Sequence, residues 1–301
     1  MFDQGTGRTP ELLAGTPAGG GQDRTARAIA GLLGGEVAVR NVPGRGGSSA
    51  WEMLASRAAE DDVLAVSSPT LITNALLGVS AIDHHGLTPI AQLYTEHSVL
   101  VSSPASGVTE PSTVLRQMAM GSMRISFATA LGNINHLALA QIARHAGVAI
   151  RDLSVRVFDS ARHAVGDVLA GNAEAAMVSA ASALTEIEDG SLVAVAVTSP
   201  RRLGRVFAKV PTWVEAGVDC DLGTWRGLVA PPEVAAESVA NWERRLSVMV
   251  SDRRWSSLLD DNLWTDTFLD PAGTAVFLDG QRRLLSGLLE ETGLLTGVVD
   301  G

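Results

Sequence analysis

Short apolar runs alternate with helical patterns along most of this chain, and that alternation limits the fold more than any other feature. Strands are expected at 12–15, 37–40, 63–67, 88–93, 98–102, 124–128, 154–158, 175–178, 192–198 and 225–230. Between them lie helices with readable starts and stops. Asp23 precedes RTARAIAGLL, which closes at Gly34-Gly35, since glycine takes the left-handed conformation that ends a helix. Ser49 and Glu52 read as a capping box before MLASRAA. Pro111 follows Thr109-Glu110 as a first-turn proline. Asn133 or Asn135 opens a helix running to Gly147, and Ser160 opens one running to Gly171. Strands alternating with helices of about 10–15 residues predict an α/β fold with mainly parallel sheets. From Pro231 onward the pattern is mostly helical: 234–250, 253–260 and 271–292, with a short strand at 264–267.

Composition excludes several classes. Of 301 residues, 46% are hydrophobic and 19% charged, which supplies a packed core and rules out a disordered chain. No run approaches 18 unbroken apolar residues, so no spanning helix is expected. A single cysteine, Cys220, rules out an internal disulfide framework and a multi-cysteine metal site. The net charge of −10 repels nucleic acid and anionic membranes. It does not repel a small anion locally, because backbone dipoles outweigh net charge at short range. Residues 1–10 are polar and hold no apolar signal-peptide core.

Four strand-to-helix loops carry candidate chemistry. In TPAGGGQD, three glycines let backbone N–H groups approach a ligand without a β-carbon in the way. The following helix start adds about half a positive charge. Ala18, Gly19, Gly20, Gly21 and Asp23 are therefore candidates for an anion cradle, against the plainer reading of a tight turn with Asp23 as its N-cap. The loop lacks the lysine and hydroxyl residue of a nucleotide P-loop. NVPGRGG at 41–47 reads as a surface turn or a second backbone anion site. Ser67-Ser-Pro-Thr70 places hydroxyls, Ser68 and Thr70 among them, at the end of a parallel strand, where open α/β sheets bind ligands. In ATALGNINH, Thr129, Asn133 and Asn135 donate to carboxylate oxygens, with Gly132 in the loop and His136 in the first helical turn.

Enzyme signatures are missing. There is no G-x-S-x-G elbow and no H-E-x-x-H. His84 and His85 are adjacent and form a weak chelate, so no metal site and no cofactor are expected. Cys220 lies between two aspartates that raise its pKa, which fits a bystander thiol.

Taken together, TPAGGGQD with RTARAIA, NVPGRGGSSAWEMLA, ATALGNINHLALAQIARHAGV, VLAGNAEAAMVS, LVAVAVTSPRR, VPTWVEAGVD and GTWRGLVAPPEV resemble, in order, the solute receptors of tripartite tricarboxylate transporters, the TctC or Bug family. The resemblance implies a type II periplasmic-binding-protein fold of two lobes, 1–102 plus 228–301 and 103–227, with hinge strands and a ligand cleft. It implies a non-enzymatic extracytoplasmic receptor for a citrate-like di- or tricarboxylate, working with membrane permease subunits. The ligand would be held by loops 16–23 and 128–136, with help from 67–70 and from Ser179 after strand 175–178. The alternatives are a carboxylate- or phosphate-ester enzyme using the glycine loop as an oxyanion hole, and a paralogue that keeps the fold without transport. Ala128, Ala130 and Leu131 stand where relatives often carry serine or glycine, and Asp159 brings a negative charge near the expected carboxylate site.

Overall fold

The computed structural model describes residues 9–128 and 131–295. The chain separates into two compact units. Of the described residues, one unit holds those up to Tyr94, Trp225–Leu259 and Asp266–Leu285; the other holds those of Thr95–Thr224, Asp260–Thr265 and those from Ser286. The first unit begins β1 (Glu11–Ala14), α1 (Gly21–Leu32), β2 (Ala38–Asn41), α2 (Ser48–Ala55), β3 (Val63–Ser67) and α3 (Thr70–Leu76). β4 (Thr88–Ser102) carries the chain into the second unit, which contains α4 (Pro111–Ala119), β5 (Arg124–Ala128), α5 (Ile134–His145), β6 (Ser154–Phe158), α6 (Ala161–Leu169), β7 (Ala175–Ser179), α7 (Leu184–Glu188) and β8 (Val193–Val197). The chain returns along β9 (Gly223–Ala230) and continues through α8 (Ala236–Val250), α9 (Arg253–Asn262), β10 (Trp264–Leu269) and α10 (Pro271–Glu291).

In the first unit the strand order is β2-β1-β3-β9-β4. β1 runs parallel to β2 and β3, whereas β9 is antiparallel to β3. β3 is buried at all five positions, as a strand of unbroken apolar character covered on both faces must be. Trp51 of α2 fills the space beneath it and donates its indole N–H to the Val66 carbonyl at 2.9 Å, so the largest apolar side chain there leaves its polar atom satisfied. In the second unit the order is β4-β7-β5-β6, with β8 also paired to β4. β5 is parallel to β6 and β7, and β4 is antiparallel to β7 and β8. The core of this unit packs α6, through Ala164, Val165 and Val168, on Val99, Val101, Ala176 and Val178.

The mainly parallel pairing expected from alternation describes β1–β3 and β5–β7. It fails at β4 and β9, the strands that pass between units. The expected strands at 88–93 and 98–102 are one strand: Tyr94 and His97 are buried, and the half-buried Thr95 and Glu96 between them interrupt the apolar pattern without interrupting the backbone. Helix starts also separate by cause. Pro111 follows the N-cap Glu110, and the side chains of Asn133 and Ser160 accept from His136 N and His163 N as N-caps should. The expected Ser49–Glu52 capping box does not form. Gly47 is the N-cap of α2 at φ 111°, and Glu52 pairs with Arg45 instead. Asp23 is not the N-cap of α1 either; Gly20 is, and Asp23 lies in the first turn. Among the described residues no helix is long and apolar enough to cross a membrane.

Candidate functional site

In the first unit three predicted loops converge at the carboxyl ends of β1 and β3. Gln22, immediately before Asp23 in the first turn of α1, joins them. Its Oε1 accepts from the Gly15 N–H at 2.8 Å, and its Nε2 donates to Ser68 Oγ at 3.4 Å. Ser68 is hydrogen-bonded to Thr70 Oγ1 at 2.8 Å, and Thr70 donates to the Gly46 carbonyl at 2.8 Å. With the Thr70 proton committed to Gly46, Ser68 is the donor to Thr70. The two predicted hydroxyls thus spend their protons tying loops together and retain acceptor capacity only. Asn74 closes the other side, donating to the Arg45 carbonyl at 2.7 Å and to Ser48 Oγ at 2.9 Å.

Asp23 is buried and its carboxylate is engaged from several sides. Gly19 N–H reaches Oδ2 at 2.8 Å, Asn41 Nδ2 reaches Oδ1 at 2.8 Å, and Arg27 Nε lies 3.0 Å away. Arg27, ahead of the Gly19 amide and Asn41, holds its carboxyl down at about 2 despite burial. Asp23 therefore shapes the glycine loop from within. Ala18 and Gly19 are exposed, while Gly20 and Gly21 are half-buried. Gly20 N–H donates to the Pro17 carbonyl and Asp23 N–H to Thr16 Oγ1, so this loop leaves for a ligand the Ala18 amide in the turn and the Gly21 and Gln22 amides at the start of α1.

The second unit builds its loop differently. Gly132 takes φ +79°, which glycine adopts at no cost, and its N–H donates to His136 Nδ1 at 3.1 Å. The imidazole is therefore the tautomer protonated on Nε2. Its ring stacks on Phe127 at 5.4 Å, and burial lowers its pKa, so it is neutral at pH 7. Asn133 caps α5. Asn135 Oδ1 accepts from Ser98 Oγ at 2.7 Å, and Ser98 lies opposite Ser179 in the β4–β7 register. Ser179 Oγ is hydrogen-bonded to Ser182 Oγ at 2.6 Å. Gly132, Asn133, His136 and Ser179 are thus brought to one end of this sheet. Thr129 lies outside the described residues.

Sequence reasoning missed Gln22 and Ser98, which connect the predicted residues, and Arg226 on β9, whose guanidinium lies against Gly21. Asp159 is exposed and paired with His163 at 2.7 Å, which lowers its pKa. Burial, then Asp221 and Asp219, push the Cys220 thiol up to about 12, as an inert thiol requires. The rings of His84 and His85 are 3.9 Å apart and both reach Asp279 Oδ1, at 3.0 and 3.2 Å. A surface depression of about 550 Å³ is lined by Phe158, Arg162, His163, Gly166, Asp167 and Asn172 and includes none of the predicted site residues.

Known proteins share both sequence and fold with this chain. Residues 23–267 match the tripartite tricarboxylate transporter family receptor, TctC. Protein BugT of Bordetella pertussis is 27% identical over 234 residues, which cover 74% of this chain and 71% of BugT. The structure of a TctC solute-binding protein from Polaromonas, solved without ligand, superposes with a TM-score of 0.81 at 26% identity, covering 94% of this chain and 98% of that one. An R. palustris protein solved with adipate superposes at 0.81 with 19% identity, covering 97% and 99%. MatC from Rhodopseudomonas palustris, solved with bound malate, gives 0.73 at 19%, covering 93% and 98%. With the family match spanning residues 23–267 and the fold superposing over nearly the whole chain, the chain belongs to the tripartite tricarboxylate transporter receptor family.

Proposed function

We propose that this protein is an extracytoplasmic receptor that takes up a small di- or tricarboxylate between its two units and presents it to a membrane permease of the tripartite tricarboxylate transporter type. One observation carries the reading. Each unit has a strand-to-helix loop at whose end a helix start is held open by side chains that cap or brace it: Gln22 and Asp23 at α1, Asn133 and His136 at α5. Helix N-termini that keep backbone amides available attract anions, and each contributes part of the charge neutralisation. A ligand touching both loops binds a closed arrangement better than an open one and draws the population toward closure by that differential affinity. The receptors solved with adipate and with malate support a carboxylate ligand.

An esterase using the glycine loop as an oxyanion hole needs a nucleophile beside a base. The thiol is buried and held protonated, and His136 Nδ1 is taken by a backbone amide, which weighs for the receptor reading.

The test is ligand-induced stabilisation across citrate, succinate, malate, adipate, glutamate and aromatic acids. At ligand concentrations of about 100 times Kd, stabilisation is about 2.7 kcal/mol. For a protein of this size that is roughly a 5–10 °C rise in Tm. A flat panel at millimolar concentration overturns the receptor reading.

A further inference from the structure

Arg226 is half-buried on β9, and its guanidinium is set over the first residue of α1. A β-carbon on Gly21 would stand 2.6 Å from Nη2, 3.5 Å from Cζ and 3.9 Å from Nε. Nε is buried and has no hydrogen-bond partner. Among the described residues no carboxylate forms an ion pair with this side chain. The nearby Asp23 carboxylate is occupied by Arg27, Asn41 and the Gly19 amide.

The guanidinium brings a positive charge and five N–H donors. It stands beside the positive end of a 12-residue helix, whose Gly21 and Gln22 amides have no intrahelical acceptor. Two positive features therefore converge with no negative group between them. That arrangement is unfavourable in the free protein and becomes favourable once an anion enters. A guanidinium offers a planar fork of donors that matches a carboxylate, which a point charge or a hydroxyl does not.

We propose that Arg226 is the charge-reading residue of the glycine loop. With the Gly21 and Gln22 amides it holds one terminal carboxylate of an open-chain diacid, and it makes the site require an anion rather than a neutral amide at that end. This rests on the carboxylate-receptor reading.

Calorimetric titration of adipate, succinate and the neutral adipamide into the wild type, Arg226→Met, Arg226→Lys and Gly21→Ala tests it, with circular dichroism and Tm checking each fold. The wild type is expected to bind a diacid and to prefer adipate over adipamide. Arg226→Met should weaken the diacid tenfold or more, collapse that preference, and flatten the dependence of Kd on salt. Arg226→Lys should recover part of the affinity but not all. Gly21→Ala keeps the arginine but displaces its guanidinium, and should weaken the diacid severalfold. Should Arg226→Met or, if that variant does not fold, Gly21→Ala bind adipate within twofold of the wild type with the preference intact, the role of Arg226 is overturned and the receptor reading stands. If the wild type binds neither diacid, this inference falls, and the receptor reading is decided by the full carboxylate panel.

Discussion

Gly15 and Gly47 meet backbone to backbone: a β-carbon on Gly15 would stand 2.5 Å from the Gly47 Cα and 3.1 Å from its carbonyl oxygen. On the other side it would meet Gln22 Oε1 at 2.8 Å, the atom that accepts from the Gly15 amide. The end of β1 and the turn before α2 are thus pressed together at a point where neither neighbour has room to move, and Gln22 locks the contact.

Gly15→Ala is therefore expected to be destabilising, because the atoms it strikes are backbone. Gly47→Ala adds a left-handed φ of 111° and a contact with the Trp51 ring at 2.8 Å. Overpacking and strain of this kind cost about 1–3 kcal/mol each. Gly166→Ala, in the interior of α6 with nothing within 4 Å, should instead stabilise by about 0.5–1 kcal/mol. Chemical denaturation of the three variants checks the ordering; equal effects would sink the close-approach argument.

Asp23→Asn should loosen the glycine loop. It removes the charge that Arg27 and the Gly19 amide hold, at an expected cost of about 1–3 kcal/mol for buried donors left poorly paired. The pH dependence follows from the depressed pKa. The folded carboxyl titrates at about 2 and the unfolded one near the ordinary aspartate value of 3.8, so its contribution is complete above that value and lost as pH falls toward 2. The wild type should lose more stability than Asp23→Asn between pH 5 and pH 2 in denaturation curves. Parallel curves would contradict the assignment.

His136 predicts a loss of stability on acidification as well, but in a higher pH window. Its folded pKa lies below 6.5 because burial disfavours the cation, so the unfolded chain binds the proton more readily. Stability supplied by the neutral ring is full above pH 6.5 and falls as pH drops below it, since protonating Nδ1 breaks the bond from the Gly132 amide. Diacid affinity should weaken over the same range. NMR titration should place the His136 midpoint below 6.5 and that of the buried His97 near 4. A midpoint for His136 at or above 6.5 would falsify the structural role given to its Nδ1.

Closure is testable with spin labels at Val248 and Met120, one in each unit, where the native side chains are 74% and 72% exposed. The single native thiol, Cys220, is buried with its pKa near 12 and should not label. Saturating diacid is expected to shorten the label distance. An unchanged distribution under proven saturation, with the free protein shown to be open, removes the closing mechanism.

What the sequence determined by itself is what neighbouring residues encode. The unbroken apolar run of β3, the Asn133 and Ser160 caps, Pro111 after Glu110 and the Gly34-Gly35 stop were all readable, because strand burial, caps and left-handed turns depend on residues a few positions apart. The glycine and asparagine loops were readable for the same reason. Tertiary structure decided the rest. Gln22 and Ser68 are 46 positions apart, Ser98 and Asn135 37, and only folded strands bring them within hydrogen-bond reach. Glu52 abandons its local partner Ser49 because the turn before α2 presents Arg45, and a full charge attracts the carboxylate more strongly than a backbone amide does. Arg226 sits in an ordinary apolar strand pattern; what singles it out is its place over Gly21, across a sheet order that no local pattern specifies.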